Sequence, residues 1–214
     1  MVASIGNATV SGDGSGAITF AHDNNGSTLL VFTMGEDAAD SAVATYNGSN
    51  MTLVGTSYTP GTSGTGLSWA VYKHLTPTSG SNNVVANCVG NSLAIAVSIV
   101  GAGDITSFAS ASGNSDTPSA TPASTTNDDI IVMGGSHYTT GTHTPGANQT
   151  TLGNNPHATG GFQIFASWQD GADGTAMTAT MGSSNVWRCT SVSVSASGGA
   201  ATIKRYTLTT LGVG

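Results

Sequence analysis

The apolar residues of this chain come in short runs separated by Gly, Asn, Asp, Ser and Pro. No stretch keeps the helical period for three turns without a Gly, a Pro or a Ser-Gly pair breaking it. Strand signals recur instead. Residues 16–21 (GAITFA) open the series, and the turn Asp23-Asn24-Asn25-Gly26 follows. Residues 27–34 (STLLVFTM) are almost continuously apolar, as a strand covered on both faces should be. Residues 41–46 and 51–56 flank Asn47-Gly48, the pair best suited to a two-residue hairpin turn. Further strands are expected over 67–74, 82–89 and 92–100, with Val84, Ala86 and Cys88 sharing one face.

The Ser/Thr/Pro/Gly-rich stretch 102–127, with its apolar island of Ile105 and Phe108, reads as a long crossover loop. Strands then resume over 129–133, 161–168, 175–181, 186–195 and 201–209, and residues 134–160 read as a loose polar segment. Many short strands ending in turn signals predict an all-β fold, a two-sheet antiparallel β-sandwich of the jelly-roll type. Residues 1–199 are expected to form a single sandwich domain, and 200–214 a strand-like C-terminal extension for assembly contacts. No repeat of 20–50 residues is evident, which argues against solenoids and propellers.

The order LLVFTM, ATYNGSNMTLVGTS, LSWAVYKHLTPTSGSNNVVANC and LAIAVSIVGAGD, over residues 29–104, resembles a jelly-roll or concanavalin-like β-sandwich domain of phage virion proteins and bacterial surface proteins. The matching positions are structural: Gly48 serves the hairpin, while Pro77 and Gly80 serve the turn before Val84 and Val85. The resemblance implies a fold and a set of display roles, not a chemistry. The second half follows the pattern only in rhythm.

Charge narrows the function. The 214 residues hold 4 Lys plus Arg against 11 Asp plus Glu, a formal net charge of −7. So few cations cannot follow a phosphate backbone or dock on anionic lipid, so neither nucleic acid nor membrane is an expected partner. The N-terminus MVASIGNATVSG has no basic or apolar leader pattern, and the longest apolar run, 93–100, is too short to span a bilayer. Cys88 and Cys189 each sit inside a strand-like run, where a buried free thiol is the expected state and a bridge between them the alternative.

Candidate chemistry is sparse. The sequence around Ser15 places the serine out of phase for a nucleophile elbow. Glu36 with Asp37 and Asp40, Asp128 with Asp129, and Asp170 with Asp173 are the carboxylate groupings a glycosidase would need. An acidic cluster beside Gly35 suits a solvated loop better. The Asp-Gly pairs at Asp13 and Asp170 and the DNNG at Asp23 place oxygen ligands beside turn glycines, but Asp-Gly is ordinary turn chemistry and no metal or other cofactor is expected. His137, His143 and His157 share one segment with Tyr138, at spacings that match no zinc motif. Trp69 and Trp187 read as core, and Trp168 as core or rim. Tyr138, His143 and Trp168 are therefore the candidate binding residues.

The reading is a non-enzymatic structural protein of a tailed-phage virion, a capsid decoration protein or, as a variant, a tail-associated module. It would lie on the virion surface after synthesis in the host cytoplasm. Its partners would be the major capsid protein or another virion protein and further copies of itself, as a homo-oligomer, a trimer being favoured. A glycan-binding adhesin or receptor-binding domain, with a host surface glycan as ligand, is the alternative. Exposed aromatics clustered at a loop tip would favour sugar, and an apolar patch reaching the C-terminal strand would favour assembly.

Overall fold

The computed structural model describes residues 2–36, 43–59, 67–123, 125–174 and 176–198. Those of the first half form β1 (Ser4–Val10), β2 (Gly14–Asn24), β3 (Thr28–Glu36), β4 (Ala44–Tyr46), β5 (Ser49–Asn50), β6 (Thr52–Thr59), β7 (Leu67–Leu75) and β8 (Gly80–Val100). The second half supplies β9 (Ala102–Ser115), β10 (Ser119–Ala120), β11 (Ile130–His137), β12 (His143–Pro145), β13 (Thr150–Pro156), β14 (Gln163–Asp170), β15 (Met177–Met181) and β16 (Asn185–Ala196). Among the described residues the only helical element is a 3-10 turn, Gly171–Asp173. All strand pairs are antiparallel. The all-β sandwich expected from the sequence is what the chain forms.

Two sheets face each other. One runs β1-β8-β3-β7-β6 and the other β13-β14-β11-β16-β9. Strand lies over strand in that order, β1 on β13 through to β6 on β9. Between them Leu30, Phe32, Trp69 and Ile95 of one sheet meet Val132, Ile164, Ala166 and Val192 of the other. Phe32 and Trp69 stack with centroids 5.9 Å apart. Gly134 lets the two central strands approach, because a Cβ there would lie 2.6 Å from Phe32 and 2.9 Å from Trp69.

Each sheet is also covered on its outer face. β8 is 21 residues long and bends at Gly90, whose φ of 70° suits glycine. Its second part pairs with β1 and β3, and its first part with β2 and β4, so one strand serves two layers. The folded-over layer buries Ala44, Tyr46 and Val84 against Leu29, Val31 and Tyr72. On the other side the small sheet β10-β15-β12 buries Ala120, Met177, Ala179 and Met181 against Ile131, Met133 and Phe165. This is why β11 is buried at every position and β3 at all but its last.

Several expectations need correction. Residues 102–115 are not a crossover loop but the edge strand β9, paired along its length with β16. Its Ser, Ala and Gly residues give a weak alternation, yet a flat strand is what this edge accepts, since Gly113 lies directly under the Trp187 ring. The segment 134–160 is not loose either: it completes β11 and supplies β12 and β13. The strands expected at 82–89 and 92–100 are one bent strand, and β1 carried no signal that stood out. The Asn47-Gly48 hairpin is present, with φ of 49° and 75°. Its return arm is short, and β6 pairs with β7 instead of β4. The strand expected at 201–209 and the extension 200–214 lie outside the described residues, as do Asp37 and Asp40.

Candidate functional site

A pocket of about 260 Å³ opens at the end of the sandwich where β11 begins. It is lined by Thr106 of β9, Ser195 and Ala196 of β16, and Thr125, Thr126, Asp128 and Asp129 of the 121–129 link. Asp129 holds that link closed. Its Oδ2 accepts from the Thr126 amide at 2.9 Å and the Ser193 hydroxyl at 3.1 Å, and its Oδ1 accepts from the Thr126 hydroxyl at 2.7 Å. Asp128 beside it is exposed. The two carboxylates therefore do different work: one is spent on loop structure and the other faces solvent. The pocket can accept and donate hydrogen bonds to a hydroxylated molecule, but among its described lining residues there is no histidine, no serine–base pair and no aromatic face. Only the adjacent Asp128-Asp129 signalled it in the sequence; Thr106 and Ser195 reach it through β9–β16 pairing, which no local pattern announces.

The candidate binding residues do not form one site. Tyr138 is half-buried, donates from its hydroxyl to Glu36 Oε1 at 2.9 Å and meets Phe162 edge-on at 6.2 Å. Trp168 is half-buried against the same inter-sheet core but lies opposite Val132, about 20 Å along the strand from Tyr138. His143 lies on the opposite face of this sheet, stacked at 4.7 Å on Phe165. Both its ring nitrogens are buried without a hydrogen-bond partner among the described residues, and burial pushes its pKa down to about 4.

The other histidines are absorbed into structure. Fully buried His22 sits between Thr9 and Ser98, with Nε2 2.8 Å from the Ser98 hydroxyl. This resembles a nucleophile and its base, but the proton inventory opposes it. Ser98 donates to Asn24 Oδ1 at 2.7 Å, and Asn24 is held in that orientation because its amide donates to the carbonyls of Gly26, Pro77 and Thr78. His22 Nε2 must therefore donate to Ser98, and Nδ1 accepts from Thr9. Burial lowers the His22 pKa against the opposing pull of Asp23, which keeps this neutral arrangement. His157 accepts from the Gly160 amide at 3.0 Å through Nδ1 and donates from Nε2 to the Gly14 carbonyl at 3.2 Å, pinning its turn to the N-terminal half. His137 is buried, with its pKa lowered by burial.

Toward the end opposite the pocket, polar atoms on both faces of the second sheet lack a partner among the described residues. Among them are Ser136 Oγ, His137 Nδ1, Gln163 Nε2 and Arg188 Nε. Arg188 is buried, with one 3.4 Å bond to the Trp187 carbonyl among the described residues, and burial lowers its pKa. Glu36 accepts from Tyr138 and, at 2.6 Å, from Asn91. Among the described residues no three His, Cys, Asp or Glu side chains gather as a metal would require.

Trp69 is core, donating to the Thr190 hydroxyl at 2.9 Å, and Trp187 is buried beneath the small sheet. Cys88 and Cys189 are not bridged to each other. No helix among the described residues is long and apolar enough to cross a membrane. Compared with protein-family models, curated proteins and solved structures, the chain matches none.

Proposed function

We propose that this chain is a non-enzymatic structural protein of a tailed-phage virion, a jelly-roll capsid decoration protein displayed on the particle surface, with a tail-associated module as the variant. The observation that carries the assembly part of this reading is the placement of exposed apolar residues. Of the exposed large apolar residues Val2, Val43, Leu53, Leu75, Val89 and Val100, strand register puts Val2, Leu75 and Val100 together at one end of the sandwich. The chain leaves its last described strand at that same end, where the Ser197 amide donates to the Gly101 carbonyl. Asp128, Asp170 and Asp173 lie exposed there on the side of the second sheet. An end that is apolar on one side and acidic on the other suits a protein surface better than a sugar.

The phage context rests on the resemblance of residues 29–104. Residues 200–214 are assigned the assembly contacts, to the major capsid protein or to further copies in a trimer. The glycan-binding alternative is favoured only by the hydroxyl- and carboxylate-lined pocket. The half-buried, separated Tyr138 and Trp168 weigh against it, since a sugar platform needs an exposed aromatic face.

The test is to band phage particles released by the source organism on a density gradient and probe them for this chain. Recovery with intact particles at a fixed copy number is expected. Its absence from particles, together with selective binding to immobilised glycans, would overturn the reading.

A further inference from the structure

The two halves of the chain have the same winding. Numbering the strands of the second half one to eight in chain order, β9 to β16, the inner sheet reads 1-8-3-6-5 and the outer sheet 2-7-4. In the first half β5 is the return arm of the β4 hairpin, and β8 supplies strand seven before Gly90 and strand eight after it. The inner sheet β1-β8-β3-β7-β6 is then again 1-8-3-6-5, and the outer layer β2-β8-β4 again 2-7-4. Among the described residues no strand of either half pairs in a sheet with a strand of the other.

The contact between the halves has its own symmetry. Strand one of each half lies on strand five of the other, strand eight on strand six, and strand three on strand three. That reciprocity is the signature of an isologous interface, in which i meets j and j meets i. The two central strands also begin at the same end: Thr28 bonds to the Gly103 carbonyl at the start of β9, and Ala102 of β9 pairs with Ala196 beside the start of β11. The approximate two-fold axis thus runs along the strands, between β3 and β11.

We infer that the chain is a covalently fused dimer: two copies of one eight-stranded jelly-roll unit, residues 2–100 and 102–198, docked through their inner sheets and tethered at Gly101. The inner face of each unit is an interaction surface whose partner is a second copy of the same unit. Each unit closes its own hydrogen-bonded ladders and buries its own second core, beneath the folded-over layer in one and the small sheet in the other. The shared core between them has the character of an obligate interface, dominated by apolar side chains. Polar bonds also join the units: Trp69 to Thr190, Tyr138 to Glu36, Asn155 to the Ser11 carbonyl and Ser27 with Ala102. Further bonds run from Thr28 to the Gly103 carbonyl, Lys73 to Asp104, His157 to the Gly14 carbonyl and the Ala158 amide to Asp13.

The test is a full-length chain with a site-specific protease sequence inserted between Gly101 and Ala102. After cutting, the two fragments are expected to migrate as one native particle of unchanged mass and to keep the β-sheet circular dichroism of the uncut chain. They should separate only in denaturant. Loss of the β signal on cutting, while the uncut insertion chain stays folded, would overturn the inference. If the insertion itself prevents folding, the halves are expressed as two polypeptides with an affinity tag on one. Recovery of a folded 1:1 complex is then expected, and failure of the halves to fold together overturns the inference.

Discussion

Single side chains carry much of the chemical restraint in this molecule. Cys189 lies fully covered under the small sheet, and burial pushes its thiol up to about 12, so the nucleophilic thiolate is scarce at neutral pH. Cys88 is only half-buried. A thiol reagent added to the folded protein should label Cys88 alone and reach Cys189 only in denaturant, as peptide mapping would read. His143 gives a pH signature. Its folded pKa is about 4 against an ordinary 6.5, so between those values the unfolded chain binds a proton that the folded chain refuses. Stability should therefore fall as pH drops from 6.5 towards 4 and level off below. At about 1.4 kcal/mol per pH unit this amounts to about 3 kcal/mol. His143→Phe keeps a ring on Phe165 and should flatten that part of a denaturant-midpoint profile. His22 and His137, also lowered by burial, leave the variant with a residual slope of the same sign.

At the level of elements, burial on both faces decided which strands could be recognised. β3, the second part of β8, the first part of β11 and β16 are covered from two sides, so their apolar runs are dense and local pattern finds them. β9 and β13 are edge strands, and β10 and β12 are two and three residues long. Their pairing is fixed by neighbours distant in sequence, and Ser, Thr, Asn and Gly on such strands are hard to tell from loop. The pocket was obscure for the same reason, since Thr106 and Ser195 come together only through the β9–β16 ladder. Gly134 tests how tightly the elements are fitted. Gly134→Ala places a methyl against Phe32 and Trp69, where neither ring has room to retreat, and should cost about 1–3 kcal/mol in chemical denaturation. Gly48→Ala, with nothing near its Cβ, should instead cost only the strain of its φ of 75°.

For the molecule as a whole, low charge and close packing set the behaviour. The only ion pair among the described residues is Lys73 with Asp104, whose carboxylate is exposed, so the pair is worth little. Raising salt from 0.1 to 1 M should therefore leave the unfolding midpoint nearly unmoved by screening alone. The assembly reading makes a sharper statement. Light scattering should find an oligomer, a trimer by expectation, for the full chain and a monomer once residues 201–214 are removed. A monomer in both cases would leave decoration by single copies on a particle as the surviving form of the reading.

The link between strands two and three differs between the halves. In the first it is residues 25–27, laid so flat that a Cβ on Gly26 would fall 2.6 Å from the Ile99 backbone. In the second it is residues 121–129, and the extra length is what opens the pocket beside Asp129. A dimer of separate chains cannot make such a change once, because every substitution appears in both subunits. With both copies in one polypeptide, one link can keep the seal while the other is free to acquire a ligand, so selection for recognition need not threaten the closure of the whole.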